Sequence, residues 1–194
     1  MKKIGITGGI GSGKSIVCHL FKLFGIPVYE ADARAKWLTQ HDPILKADIT
    51  RLLGPEAYDQ SGNYNRAFVA SQVFDQPERL QALNALIHPR VFADTDRWVK
   101  NQQAPYVIKE AALMRAAGDH NDLDTVVVVT APLALRIDRI RQRDPQRSES
   151  EIRAIIARQI SDEARLKLAN YTLDNSETEL LIPQVIRLHE QFCR

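Results

Sequence analysis

Residues Gly8-Gly9-Ile10-Gly11-Ser12-Gly13-Lys14-Ser15 form a complete G-x-x-x-x-G-K-[ST] phosphate loop. An apolar run, Ile4-Gly5-Ile6-Thr7, leads into it, and a helical pattern over Ser15–Phe24 leaves it. That strand–loop–helix setting is the one in which the motif acts. Glycine lets the backbone turn tightly enough for successive N–H groups to converge on one point. A helix starting near Lys14 aims its positive end at the same place. The segment is therefore expected to bind a nucleoside triphosphate, with Lys14 reaching the β- and γ-phosphates and the Ser15 hydroxyl ligating Mg²⁺.

The rest of the chain must build a sheet around that loop. Short apolar runs alternate with helical patterns, which predicts βαβ units, an α/β fold and a parallel sheet flanked by helices. Expected strands are Lys2–Thr7, Pro27–Tyr29, Tyr106–Lys109, Thr125–Val129 and Tyr171–Leu173. Val126-Val127-Val128-Val129 is β-branched throughout, as a strand covered on both faces should be. Expected helices are Ser15–Phe24, Leu133–Arg143, Glu149–Ile160 and Glu179–Phe192.

Two regions break the alternation. Residues 31–102 hold no convincing strand, only helical segments divided by Pro43, Gly54-Pro55, Gly62 and Pro77. An all-helical insertion of that length is most simply a substrate-binding subdomain. Arg136–Arg165 carries eight arginines and no lysine. It reads either as a solvated helix pair whose arginines alternate with acids, or as a lid whose guanidinium forks meet the transferring phosphoryl group. Arg139 and Arg143 are four residues apart and share a helix face.

Bulk composition narrows the partners. At 194 residues and 44% hydrophobic content the chain makes one compact unit with room for inserted subdomains. Its net charge of +2 offers no field for steering onto nucleic acid or an anionic membrane. No apolar stretch approaches the ~20 residues a membrane helix needs. The chain enters a strand at once, so no signal peptide is expected. Two cysteines, Cys18 and Cys193, argue against a disulfide framework and for a reduced, cytoplasmic setting, with Cys18 a packing residue. No Cys/His cluster has metal-site spacing.

Further candidates lie at predicted strand ends. Asp32 follows the second strand, at the edge where α/β sheets place their ligands. A carboxylate there can accept a proton from an attacking hydroxyl and help hold Mg²⁺. Glu30, two residues earlier, competes for that role, and Glu110 could assist a metal from the tip of the third strand. Each has a plainer reading as a helix-end acid or surface residue. His88-Pro89 reads first as a turn or packing element. Trp37 and Trp98 read as core or hinge residues that could also stack on a base.

The motifs together resemble the dephospho-CoA kinase family over the whole chain. Thr7–Ser15 matches its T-G-G-I-G-S-G-K-S, Glu30-Ala31-Asp32 its D-A-D, and Leu83-Asn84-Ala85-Leu86-Ile87-His88-Pro89 its approach to a His-Pro. Arg139–Asp144 matches R-x-x-x-R-D, followed by the family's glutamine at Gln159; Ala164-Arg165-Leu166 and Asp174-Asn175 match its A-R-L and final D-N. The resemblance implies a P-loop kinase core (1–29, 103–135 and 166–194), a helical substrate-binding insertion (30–102) and a helical lid (136–165), within one kinase domain. It implies ATP-dependent, Mg²⁺-assisted phosphorylation of the 3′-hydroxyl of dephospho-CoA, the last step of coenzyme A synthesis. ATP would be held by Gly9, Gly11, Ser12, Gly13, Lys14, Ser15, Ile16, Arg139, Arg143 and Asn175. Asp32, Lys14 and Arg143 would be catalytic, and Asp32 and His88 would meet the acceptor.

This chain departs from the family pattern in three places. Glu30 lengthens the first acid of D-A-D, Ile16 replaces a threonine beside a serine that remains, and Ala112-Leu113-Met114-Arg115-Ala116 replaces P-L-L-x-E, losing proline and acid. A nucleoside or nucleotide monophosphate kinase shares loop and lid, but residues 31–102 are too long for it. A GTP-binding switch protein would need D-x-x-G after a strand and an N-K-x-D. Asp59-Gln60-Ser61-Gly62 lacks the strand and reads as a turn.

Overall fold

A computed structural model describes residues 1–194, which form two compact units: 1–30 with 102–194, and 31–101. The first unit is built on five parallel strands, β1 (Lys2–Gly8), β2 (Val28–Glu30), β3 (Tyr106–Glu110), β4 (Thr125–Thr130) and β5 (Tyr171–Asp174), in the order β2-β3-β1-β4-β5. All five expected strands form, each running one residue further at its carboxyl end. The α/β reading therefore holds.

Both sheet faces are covered, as an all-parallel sheet requires. On one face α1 (Lys14–Leu23) and α9 (Leu181–Phe192) bring Val17, Phe21, Val185 and Phe192 against Ile4, Ile6, Ile108 and Val127. On the other, Val126 and Val128 pack with Leu123, Met114 and Leu168. Gly5 points to this second face, where a β-carbon would lie 2.4 Å from the Met114 sulfur. Met114 is thus a packing residue of the segment that departs from the family pattern. Three more helices complete the unit: α6 (Leu133–Arg143), α7 (Glu149–Ala157) and α8 (Asp162–Leu166).

Helix ends moved where side-chain chemistry overrode periodicity. α9 begins at Leu181 rather than Glu179, because a helix from 179 would drive the Pro183 ring into the Glu179 carbonyl; from 181, Pro183 falls in the first turn. α7 starts at Glu149 behind a Ser148/Glu151 capping box but stops at Ala157, three residues short of the expected end. Ser161 then caps the separate α8 by accepting from the Ala164 N–H.

The second unit contains four helices, α2 (Ala31–His41), α3 (Pro43–Leu53), α4 (Arg66–Val73) and α5 (Pro77–Lys100), with a single 3₁₀ turn at Pro55–Ala57. Pro43 and Pro77 sit at helix starts, where the missing N–H costs nothing. Asp42 caps α3 by accepting from the Ile44 and Leu45 amides and also takes the Arg90 guanidinium at 2.8 Å. Arg34 lays its fork on the buried Asp94 at 2.7 and 3.0 Å. Residues 59–62 form a tight turn: Asp59 Oδ1 accepts from the Ser61 and Asn63 amides between the bridged Tyr58 and Tyr64.

His88-Pro89 corrects its expectation, for no turn forms there. α5 continues straight through Pro89, and His88 is exposed on it. An internal proline costs roughly 3 kcal/mol in an isolated helix. Tertiary packing offsets this: Leu83 and Val91 are buried on either side, and the Arg90–Asp42 and Asp94–Arg34 pairs fasten the following turns. Trp37 also departs from a core role: it is 45% exposed, with Arg34 4.1 Å above its ring and His41 stacked at 4.6 Å.

Candidate active site at the phosphate loop

The loop between β1 and α1 takes the shape its glycines permit. Gly11 and Gly13 have φ of +79° and +97°, a region that residues with a β-carbon rarely adopt. Gly13 occupies the N-cap of α1, and its carbonyl accepts from the Ile16 and Val17 amides. The Ser12 amide returns to the Gly9 carbonyl at 3.1 Å, closing the turn. No side chain caps α1, so the helix presents its positive end at the loop, where an anion is favoured.

The sequence-expected residues converge here in part. Lys14 begins α1 and folds its Nζ onto the Gly8 carbonyl at 2.9 Å. Ser15 and Ile16 follow it, both exposed. Asn175, just beyond β5, donates its amide to the Ser12 carbonyl at 2.8 Å. Arg139, on α6, donates Nη2 to the Asn175 carbonyl and to Glu177, each at 3.0 Å. A bonded line thus runs from α6 through the end of β5 to the loop. Arg143 ends α6 one turn beyond Arg139 and is exposed, without an ion pair. Asp32 is the second residue of α2, which follows β2 without a connecting residue; it and His88 belong to the second unit.

Two polar atoms in this neighbourhood are buried without a protein partner, the Ser12 hydroxyl and Arg139 Nη1. An unmade hydrogen bond of this kind costs about 1–3 kcal/mol, which a bound anion would recover. Both atoms are competent donors, as phosphate oxygens require.

The carboxylates at the sheet edge have other company. Glu30 and Glu110 lie side by side in register at the tips of β2 and β3. Glu30 is taken by Lys22 at 2.5 Å on the surface. Burial, and then the charges of Glu110 and Glu30, push the Cys18 thiol up to about 12, so Cys18 is a neutral packing group. No group of three or more His, Cys, Asp and Glu residues is placed to hold a metal by protein ligands alone.

Of the eight arginines in 136–165, the structure separates anchors from surface residues. Arg136 and Arg165 are 2% exposed and share Asp162: Arg136 Nη1 meets both its oxygens at 3.0 and 2.9 Å, and Arg165 Nη1 meets one at 2.6 Å. Arg147 and Arg153 make local pairs with Asp144 and Glu149. Arg136 and Gln159 also reach the loop itself: Arg136 Nε donates to the Ile10 carbonyl at 2.9 Å and the Ile10 amide donates to Gln159 Oε1 at 3.0 Å. Arg136 had no place among the expected site residues. Its signal was an arginine four residues before Ile140 and beside Ile137, on the stripe of α6 that is buried.

Comparison with known proteins gives the family and the fold. The family model described as dephospho-CoA kinase matches residues 2–180. A dephospho-CoA kinase of Porphyromonas gingivalis is 35% identical over 190 residues, covering 98% of this chain and 94% of that protein. A crystal structure from Thermus thermophilus superposes with a TM-score of 0.86 at 33% identity, covering 98% of this chain and 96% of that one. A dephospho-CoA kinase structure from Campylobacter jejuni, at 20% identity, shares the fold with a TM-score of 0.62 over 98% of this chain and 97% of its own.

Proposed function

The chain belongs to the dephospho-CoA kinase family, and on that premise we propose how its own residues carry a phosphoryl group from ATP to the ribose 3′-hydroxyl of dephospho-CoA. The enzyme is an ATP-dependent kinase of the coenzyme A route. The observation that carries the residue assignment is the glycine turn at the uncapped start of α1 beside two buried, unpartnered donors, Ser12 Oγ and Arg139 Nη1.

In this reading Gly9 and Gly11–Ile16 surround the polyphosphate, which takes its hydrogen bonds from loop amides not already used within the turn and from the Ser12 hydroxyl. Lys14 exchanges the Gly8 carbonyl for a phosphate oxygen and offsets charge that builds on the γ-phosphoryl. Arg139 turns its spare nitrogen to ATP while Asn175 holds both it and the loop. Arg143, exposed and without an ion pair, is available to lie on the transferring group when the α6–α8 segment closes as a lid. Asp32 accepts the proton of the 3′-hydroxyl and keeps the nucleophile in line, and His88 contacts the acceptor within the helical insertion.

Mg²⁺ fits the exposed Ser15, whose hydroxyl oxygen would hold it together with phosphate oxygens and water, the ligand set this ion prefers. Bound there, it would neutralise charge on the β- and γ-oxygens. No helix is long and apolar enough to cross a membrane. The two free thiols support a reducing, cytoplasmic setting.

An acceptor panel tests the assignment. ATP and Mg²⁺ are offered with dephospho-CoA, AMP, dTMP or adenosine, and products are weighed by mass spectrometry. Dephospho-CoA should gain one phosphoryl group far faster than the others; preference for AMP or dTMP would refute it.

A further inference from the structure

We propose that Arg136 is a positioning residue for phosphoryl transfer, clamping the Ile10 peptides together with Gln159 and thereby setting the shape of the phosphate loop. The proposal rests on the reading of that loop as the ATP site. Neither residue belongs to the motif; they come from α6 and from the junction between α7 and α8.

The two bonds hold two consecutive peptide planes. The Ile10 amide, in the Gly9–Ile10 plane, is fixed by Gln159 Oε1 at 3.0 Å. The Ile10 carbonyl, in the Ile10–Gly11 plane, is fixed by Arg136 Nε at 2.9 Å. In a trans peptide the carbonyl and the following N–H point in opposite directions, and no peptide here is cis. Holding the Ile10 carbonyl towards Arg136 therefore turns the Gly11 N–H away from it. One side-chain contact dictates which way a loop amide points.

Glycine usage in the loop follows from the same arrangement. The motif demands glycine only at Gly8 and Gly13, yet Gly9 and Gly11 occupy variable positions. A β-carbon at Gly9 would lie 2.2 Å from Arg136 Nη2, and one at Gly11 would lie 2.6 Å from the Arg136 carbonyl oxygen. Gly9 thus makes room for the Arg136 guanidinium, while Gly11 makes room for the α6 backbone at the same residue. The guanidinium faces two partners and a wall: Nε donates to Ile10, Nη1 donates to Asp162, and Nη2 packs beside Gly9. A lysine, a point charge on a flexible stem, cannot serve three directions at once. Asp162 carries the clamp onward to the buried Arg165, so the base of α8 is tied to the loop by the same group.

The test uses the full chain carrying Arg136→Met, Arg136→Lys or Gln159→Leu. ATP affinity is measured by calorimetric titration with Mg²⁺, turnover with dephospho-CoA, and amide hydrogen exchange by mass spectrometry. Each variant should weaken ATP binding and raise KM for ATP at least fivefold, with KM for dephospho-CoA within twofold of the parent. Exchange should quicken at the Ile10 amide while the β4 and β5 amides stay protected, a pattern that general destabilisation would not produce. The double variant Arg136→Met/Gln159→Leu should lose less than the product of the single losses, since both act on one residue. If the Arg136 variants fail to fold, Gln159→Leu decides, because Gln159 is half-exposed and its removal leaves the core intact. A folded Arg136→Met or Gln159→Leu enzyme binding ATP within twofold of the parent overturns the clamp, as does full restoration by lysine. A parent protein that binds ATP but ignores dephospho-CoA would refute the acceptor assignment alone, leaving the titration to judge the clamp.

Discussion

Asn175 and Gly13 are fitted to each other: the Asn175 side-chain nitrogen lies where a β-carbon on Gly13 would stand, 2.0 Å away, and donates instead to the neighbouring Ser12 carbonyl at 2.8 Å. The residue just after the last strand thus props the turn that opens the first helix. Gly13→Ala should abolish measurable ATP binding, because it combines this clash with a left-handed φ of +97°. Asn175→Ala removes one buried hydrogen bond worth about 1 kcal/mol and strands a carbonyl, so ATP affinity should fall by roughly five- to tenfold. Calorimetric titration of both variants checks the order.

Asp32→Asn keeps size and hydrogen-bonding shape but cannot take a proton. ATP affinity should stay within twofold, while kcat falls by a factor of about 10²–10⁴, the range for loss of a general base. Titration beside a coupled ADP assay separates the two. Unchanged turnover would remove Asp32 from the mechanism.

Lys14→Ala leaves the glycine turn intact but deletes the cation. Both ATP affinity and kcat should drop by at least about tenfold, since the charge holds the bound polyphosphate and acts more strongly still on the charge that builds in the transition state. Undiminished affinity would contradict the loop assignment.

Asp42 gives the helical unit an acid sensitivity. Burial raises its pKa, but the amides of Leu45 and Ile44 and the Arg90 guanidinium more than offset this, so its carboxyl sits below the ordinary value. A carboxyl depressed in the fold contributes stability that is present above the unfolded value and lost as pH falls through the folded one. The helical unit should therefore loosen below about pH 4, and Asp42→Ala should cost about 1–2 kcal/mol at neutral pH through the lost cap. Circular dichroism melts at pH 7 and pH 3.5 measure both, and in the variant the pH step should shrink.

Cys18 and Cys193 should separate by reactivity. Cys193 is exposed, whereas Cys18 is buried and pushed up to about 12. One thiol per folded chain should react with a small disulfide reagent at pH 8, and two after denaturation. Rapid reaction of both in the folded protein would contradict the packing of α1.

Much of this molecule was written in local sequence. The glycine–lysine–serine spacing sufficed for the phosphate loop, and the valines of β4 for a strand covered on both faces, because each depends on neighbours a few residues away. Pro43 and Pro77 likewise marked divisions between helical segments, and the structure sets each at a helix start, where the missing N–H costs nothing. Pro89 misled for the opposite reason: whether an internal proline breaks a helix depends on what holds the next turn, and here Asp42 and Arg34 do so from elsewhere in the chain. The early end of α7 follows the same logic, since Gln159 reaches Ile10. Arg136 is the strongest case. Its place beside Ile137 and four residues before Ile140 marks it only as facing inward, and the fold alone brings Ile10, Gly9 and Asp162 around its guanidinium. The sequence by itself determined the anion-binding turn and the parallel strands, because backbone conformation and side-chain period are local properties. Tertiary structure decided which charged groups are anchors and which remain free for phosphate, because burial and pairing are set by residues more than a hundred positions apart.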